Sequence, residues 1–181
     1  MRLSISGAEP TIKKNLFGII KWLRGKDIDT IELQTNAIAL SDADTEFIKF
    51  LNRDLPGIRS LSLSVIQPRE RAWKNKAIVP RYRDLDRQVS SALKIADEFA
   101  LVVNNPYCGL PLCIGEWYNH LERCVEYCQN VLHKEKPLDQ EKIKPARCSS
   151  CSLTAYCNGV WKEYAYIHPL DDLKPLQRIK S

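Results

Sequence analysis

Seven cysteines occur in this chain of 181 residues, and none lies before Cys108. They are Cys108, Cys113, Cys124, Cys128, Cys148, Cys151 and Cys157. An odd number of thiols cannot pair completely, and clustered cysteines in a reducing compartment are more often metal or cluster ligands than disulfide partners. The distribution divides the chain into a Cys-free part, residues 1–104, and a Cys-bearing part, residues 105–181. The junction Asn104-Asn105-Pro106-Tyr107 reads as a loop.

The Cys-free part alternates two periods. Leu3-Ser4-Ile5-Ser6 is a short strand running into Gly7. Ile12, Leu16, Ile19, Ile20 and Leu23 share one helical face, which Gly25 can close. A second strand spans Asp29 to Gln34, and Phe47, Ile48 and Leu51 predict a helix closed near Pro56-Gly57. Leu61, Leu63 and Val65 alternate with Ser60, Ser62 and Ser64 in a third strand over Ile58 to Ile66. Leu85, Val89, Ala92, Leu93 and Ala96 form another amphipathic helix, and Leu101-Val102-Val103 a fourth strand. Strands separated by helices imply βα units and a parallel sheet. Four strands cannot close an eight-stranded barrel. The expected class is therefore α/β, an incomplete (β/α) partial TIM-type barrel. A small, Cys-rich, mostly irregular and helical extension follows it. In that extension, Trp117, Leu121, Cys124, Val125, Cys128 and Leu132 predict one helix over about 116–132. A polar linker is expected from Lys134 to Lys144, and a short helix around Val160 to Ile167.

The composition narrows the function classes. With 44% hydrophobic and 27% charged residues the chain is globular. No apolar run nears the ~20 residues of a membrane span. The N-terminus carries no long apolar stretch of the signal-peptide kind, so a cytoplasmic location without membrane association is expected. A net charge of +5 is too small to single out a nucleic-acid partner.

The strongest chemical signal is Cys148-Ser-Ser-Cys151-Ser-Leu-Thr-Ala-Tyr-Cys157, a C-x2-C-x5-C spacing with Gly159 just beyond. A tight turn brings two thiolates two residues apart to one side of the backbone, where they grip one metal or neighbouring corners of a cluster. Cys157 supplies a third ligand, and Cys108 or Cys113 the fourth. Spacing alone does not decide between zinc and iron–sulfur. Cys124 and Cys128, one helical turn apart beside Leu121 and Val125, read as core thiols. At the end of the first strand, Gly7-Ala8-Glu9-Pro10 offers a backbone that a ligand can approach and a carboxylate that can accept from an ammonium group. Taken by itself the motif is weak, and it reads slightly better as an ordinary βα turn with Pro10 opening the helix. Thr35-Asn36 ends the second strand at the same edge. The basic stretch Arg69, Arg71, Lys74, Lys76, Arg81, Arg83 and Arg87, with three acids mixed in, reads as a solvated face. His120 and His133 read as exposed helix residues, and His168 as a turn residue before proline.

Together these motifs resemble the radical S-adenosylmethionine superfamily. Leu3 to Thr11 is similar to its Gly-Gly-Glu-Pro-Thr strand end, and Ile31 to Asn36 to the next strand, which usually ends in Thr-Asn-Gly. The resemblance implies that Gly7, Ala8, Glu9, Thr35 and Asn36 face S-adenosylmethionine. Cys148, Cys151 and Cys157 with Gly159 resemble the SPASM or Twitch type of extension, which implies an auxiliary 4Fe-4S cluster. Its fourth ligand would be Cys108 or Cys113.

The departures are as informative. The family's Cys-x3-Cys-x2-Cys is absent from this chain, and Ala8 stands where the second Gly is usual. The segment from Leu55 to Pro68, followed by Ile78 to Tyr82, resembles the last barrel strand and its exit, so about two βα units are missing after Asn36. The expectation is a truncated member that does not cleave the cofactor by itself. Its intact relatives would modify a peptide or small molecule. The alternative is a non-catalytic zinc or iron–sulfur interaction module, or a pseudoenzyme. An incomplete sheet leaves edge strands open, so a protein or peptide partner, or self-association, is expected.

Overall fold

A computed structural model describes residues 2–5, 15–26, 30–33, 43–54, 60–132 and 140–177. Six strands and five helices run through them: β1 (Arg2–Ile5), α1 (Leu16–Arg24), β2 (Thr30–Leu33), α2 (Ala43–Asp54), β3 (Ser60–Ser62), α3 (Glu70–Lys74), α4 (Tyr82–Glu98), β4 (Val102–Asn104), α5 (Val125–Leu132), β5 (Lys142–Ile143) and β6 (Val160–Trp161). Several 3₁₀ turns lie between them.

The first four strands follow the βα logic of the sequence. β1 pairs in parallel with β2, Ile5 opposite Leu33. β3 pairs in parallel with β4, Ser60 opposite Val102. β2 lies beside β3. Parallel neighbours need a crossover between them; α1 lies in the one between β1 and β2 and α4 in the one between β3 and β4, while α2 joins the two pairs. The periodic positions face inward as their spacing requires. Leu16 and Ile20 of α1, Ile48 and Leu51 of α2, and Leu85, Val89, Leu93 and Ala96 of α4 are all buried. Each large one contributes about 1.5–3 kcal/mol on burial. The third strand is shorter than its alternation predicts. Past Ser62 the chain stays hydrogen-bonded, Leu63 N–H to the Asn104 carbonyl and Val65 N–H to that of Cys108, but without regular pairing.

The extension departs from the expected single helix over 116–132. The backbone turns left-handed at Gly115 (φ 70°) and Glu116 (φ 59°), and two 3₁₀ turns follow, Trp117–Asn119 and Leu121–Arg123. Asn105 then bridges the chain near Cys124, its N–H donating to Arg123 and its carbonyl accepting from Val125. That long-range pairing pulls Cys124 into an extended conformation, so the α-helix starts only at Val125. The end of the supposed polar linker is likewise a strand, since Lys142 and Ile143 pair antiparallel with Trp161 and Val160.

The Cys-free and Cys-bearing parts share one core. Tyr82 of α4 stacks on Tyr164 at 3.9 Å between ring centroids, and the Tyr82 N–H donates to the Tyr164 hydroxyl at 2.9 Å. His168 Nε2 sits 2.7 Å from the Val79 carbonyl, as a turn residue before Pro169. The basic stretch corrects the solvated-face reading at two places. Arg69 pairs with Glu141 and Glu163 and lies over the Trp161 ring, and Arg81 pairs with Asp171 and the buried Asp172. Arg71, Lys74, Lys76, Arg83 and Arg87 are exposed. His120 also differs from its reading: it is half-buried between the two 3₁₀ turns, 3.8 Å from Asp97. His133 lies outside the described residues. Among the described residues, no helix is long and apolar enough to cross a membrane.

Candidate metal centre

Local geometry explains how four thiols come to line one pocket. Ala146–Ser150 is a 3₁₀ turn, extended by the Cys151 N–H donating to Cys148. In 3₁₀ geometry residues three apart eclipse, so Cys148 and Cys151 stand on one side. Three further turns, closed by Thr154, Tyr156 and Cys157 N–H groups, bring Cys157 back beside them. Gly159 (φ 88°) then turns the chain into β6.

The fourth thiol arrives on a different segment. The buried Asn105 side chain clasps the main chain of Leu110, donating to its carbonyl at 2.8 Å and accepting from its N–H at 2.9 Å. A Cβ on Gly109 would fall 1.8 Å from the Asn105 Oδ1, so this clasp needs the glycine. The buried Leu112 and Ile114 then anchor the chain on either side of Cys113.

Cys113, Cys148, Cys151 and Cys157 line one common pocket. Leu112, Leu153, Pro175 and Leu176 supply its apolar wall, and Lys144 completes it. Of the two sequence candidates for the fourth position, Cys113 is therefore the one brought to the other three. Cys108 instead donates to the Ser64 hydroxyl at 3.3 Å. Cys124 is fully buried, with its thiol against the His120 carbonyl, and Cys128 bonds the Leu121 and Glu122 carbonyls. Gly7, Ala8, Glu9, Thr35 and Asn36 lie outside the described residues.

Main-chain donors point at the pocket sulfurs. The Leu176 N–H donates to Cys151 and the Gly159 N–H to Cys157, each at 3.4 Å. Such donors stabilise a thiolate and tune a metal bound to it. Burial opposes them. It pushes the Cys113 thiol up to about 12, and the charges of Cys157, Cys148 and Cys151 push the same way. Cys157 and Cys148 are also raised, first by burial. Cys113, Cys148 and Cys157 thus resist ionising together, and a bound cation reverses that balance. The donor set thus fits a thiolate-bound metal group. Among the described residues, however, no group of three or more His, Cys, Asp or Glu is arranged to hold a metal ion as it stands.

A buried ion pair braces this region. Lys142 Nζ pairs with Glu126 and donates to the Tyr107 carbonyl at 2.9 Å, lying between the Tyr107 and Trp161 rings. The other Glu126 oxygen accepts from the Asn158 N–H at 3.1 Å, one residue past Cys157. Neither Lys142 nor Lys144 was marked by any sequence signal beyond a polar stretch. No protein-family model, curated protein or solved structure matches the chain.

Proposed function

We propose that Cys113, Cys148, Cys151 and Cys157 hold a 4Fe-4S cluster in a protein related to the radical S-adenosylmethionine superfamily. The observation that carries the reading is the convergence of four thiols from two distant segments on one pocket, with main-chain N–H groups aimed at the sulfurs. Four thiolates can hold one zinc ion or the corners of a cluster. The cluster is preferred on the resemblance of Cys148, Cys151 and Cys157, with Gly159 beyond them, to the SPASM or Twitch type of extension. When bound, such a cluster takes up and releases single electrons.

The same reading assigns Gly7, Ala8, Glu9, Thr35 and Asn36 to S-adenosylmethionine. It is supported by the parallel pairing of the strands that lead into these segments. Without a Cys-x3-Cys-x2-Cys, this chain alone is expected to form no 5′-deoxyadenosine. The open sheet edge is assigned to a protein or peptide partner, or to a second copy of the chain.

Anaerobic reconstitution with iron and sulfide, followed by iron and sulfide analysis, tests the cluster. Cys113→Ser and Cys151→Ser are expected to lose it, while Cys108→Ser and Cys128→Ser keep it. Tight uptake of zinc with no retained iron or sulfide would overturn the assignment. It would leave the chain as a non-catalytic zinc module.

A further inference from the structure

Lys144 is the one positive charge among the described residues that line the pocket. It follows β5 directly and is half-buried. Its Nζ donates to the Thr154 carbonyl at 2.7 Å, inside the loop that joins Cys151 to Cys157. The ammonium is therefore fastened to the segment that carries the sulfurs instead of reaching into solvent. Gly159 makes room for it. A Cβ there would fall 2.7 Å from the Lys144 Cγ and 2.1 Å from the Ile143 carbonyl oxygen, at a backbone angle that side chains rarely adopt. Lys144 lines the same pocket as Cys113, Cys148, Cys151 and Cys157, so its charge faces the space the four thiols enclose.

We propose that Lys144 sets the reduction potential of the group bound by the four cysteines, by holding a fixed positive charge beside it. This rests on the cluster assignment above. One-electron reduction, by an external low-potential reductant, adds one negative charge to an already anionic assembly and breaks no bond in the protein. A neighbouring ammonium stabilises the reduced state more than the oxidised one, and partial burial limits screening by salt. The main-chain donors from Gly159 and Leu176 and the exposed Arg147 beside Cys148 act in the same direction, but Lys144 is the cation that lines the pocket, and it can be changed without altering the backbone. Lys144 is thus a positioning and tuning residue, not a ligand.

The test compares Lys144→Gln, which keeps a donor for Thr154 but loses the charge, with Lys144→Arg, which keeps the charge. Both variants and the unmodified chain are reconstituted anaerobically with iron and sulfide. Their iron content is measured, and their midpoint potentials are read by redox titration followed by electron paramagnetic resonance. Equal iron content is expected in all three, with a more negative potential for Lys144→Gln and an unchanged one for Lys144→Arg. Equal potentials at equal iron content would overturn the tuning role while leaving the cluster intact. Equal negative shifts in both variants would also overturn it, because shape and not charge would then be responsible. So would loss of iron from Lys144→Gln alone, which would make Lys144 a brace for the loop. If none of the three retains iron and sulfide, the cluster assignment itself fails, and the tuning role with it.

Discussion

The Glu126–Lys142 pair makes a sharp prediction about what holds the cysteine pocket together. Both side chains are almost fully enclosed, at 8% and 4% exposure. Lys142→Met removes the positive charge while keeping most of the apolar stem against Tyr107 and Trp161. It leaves the Glu126 carboxylate buried with the Asn158 N–H as its one remaining hydrogen-bond donor among the described residues, and it removes the donation from Lys142 to the Tyr107 carbonyl. Breaking a buried pair from one side costs about 3–5 kcal/mol. Removing both charges with Glu126→Gln/Lys142→Met should cost much less, since the glutamine oxygen can still accept from Asn158. A coupling of about 2 kcal/mol is expected between the two sites, in the range found for residues in direct contact. Urea denaturation of the metal-free, reduced protein measures this, with an unchanged m-value as the sign that only stability has moved. A loss under about 1 kcal/mol for Lys142→Met would refute the reasoning. So would a double mutant whose loss equals the sum of the singles.

Two further outcomes follow from the same packing. Gly159→Ala puts a methyl group against the Ile143 carbonyl at a left-handed backbone position, and should cost about 2 kcal/mol or more in thermal or chemical unfolding. Burial raises the phenols of both Tyr82 and Tyr164 above the ordinary value of 10, each with a smaller contribution from nearby charges. Groups raised in the folded state favour folding fully below their unfolded value and lose that contribution as pH climbs past it. Absorbance titration should therefore find at least two tyrosines un-ionised until the chain unfolds in alkali. Ionisation of all seven near pH 10 with the circular dichroism intact would contradict this.

Local rules carried the regular parts of the fold. The α4 helix was legible because Leu85, Val89, Leu93 and Ala96 repeat at helical spacing, and all four are buried. They failed where a distant group intervenes. Residues 116–132 satisfy a helical pattern, yet Asn105 pairs with the backbone at Arg123 and Val125 and interrupts it. Nothing within those residues records that partner. Arg69 looked like a surface charge because its acids, Glu141 and Glu163, lie some seventy residues or more away. The three-cysteine spacing was readable because one short loop generates it. The fourth position was not, since Cys108 and Cys113 differ only in where the Asn105 clasp delivers them. Lys144 was invisible for a similar reason, as its role depends on Thr154 and on the absence of a side chain at Gly159.

The last segment to touch the sulfurs is also among the last of the described chain to be made. Leu176 donates its N–H to Cys151 and its carbonyl accepts from Ser152, while Pro175 and Leu176 wall the pocket that Cys113 shares. A growing polypeptide therefore carries all seven thiols before it can close the wall around four of them. Until residues 175 and 176 emerge, Cys151 lacks that donor, and Cys113 and Cys151 lack part of their cover. Closure of the pocket is in this sense timed by synthesis, and alkylation of these two cysteines, fast in a chain stopped at residue 172 and slow in the longer one, would read out that moment of closure.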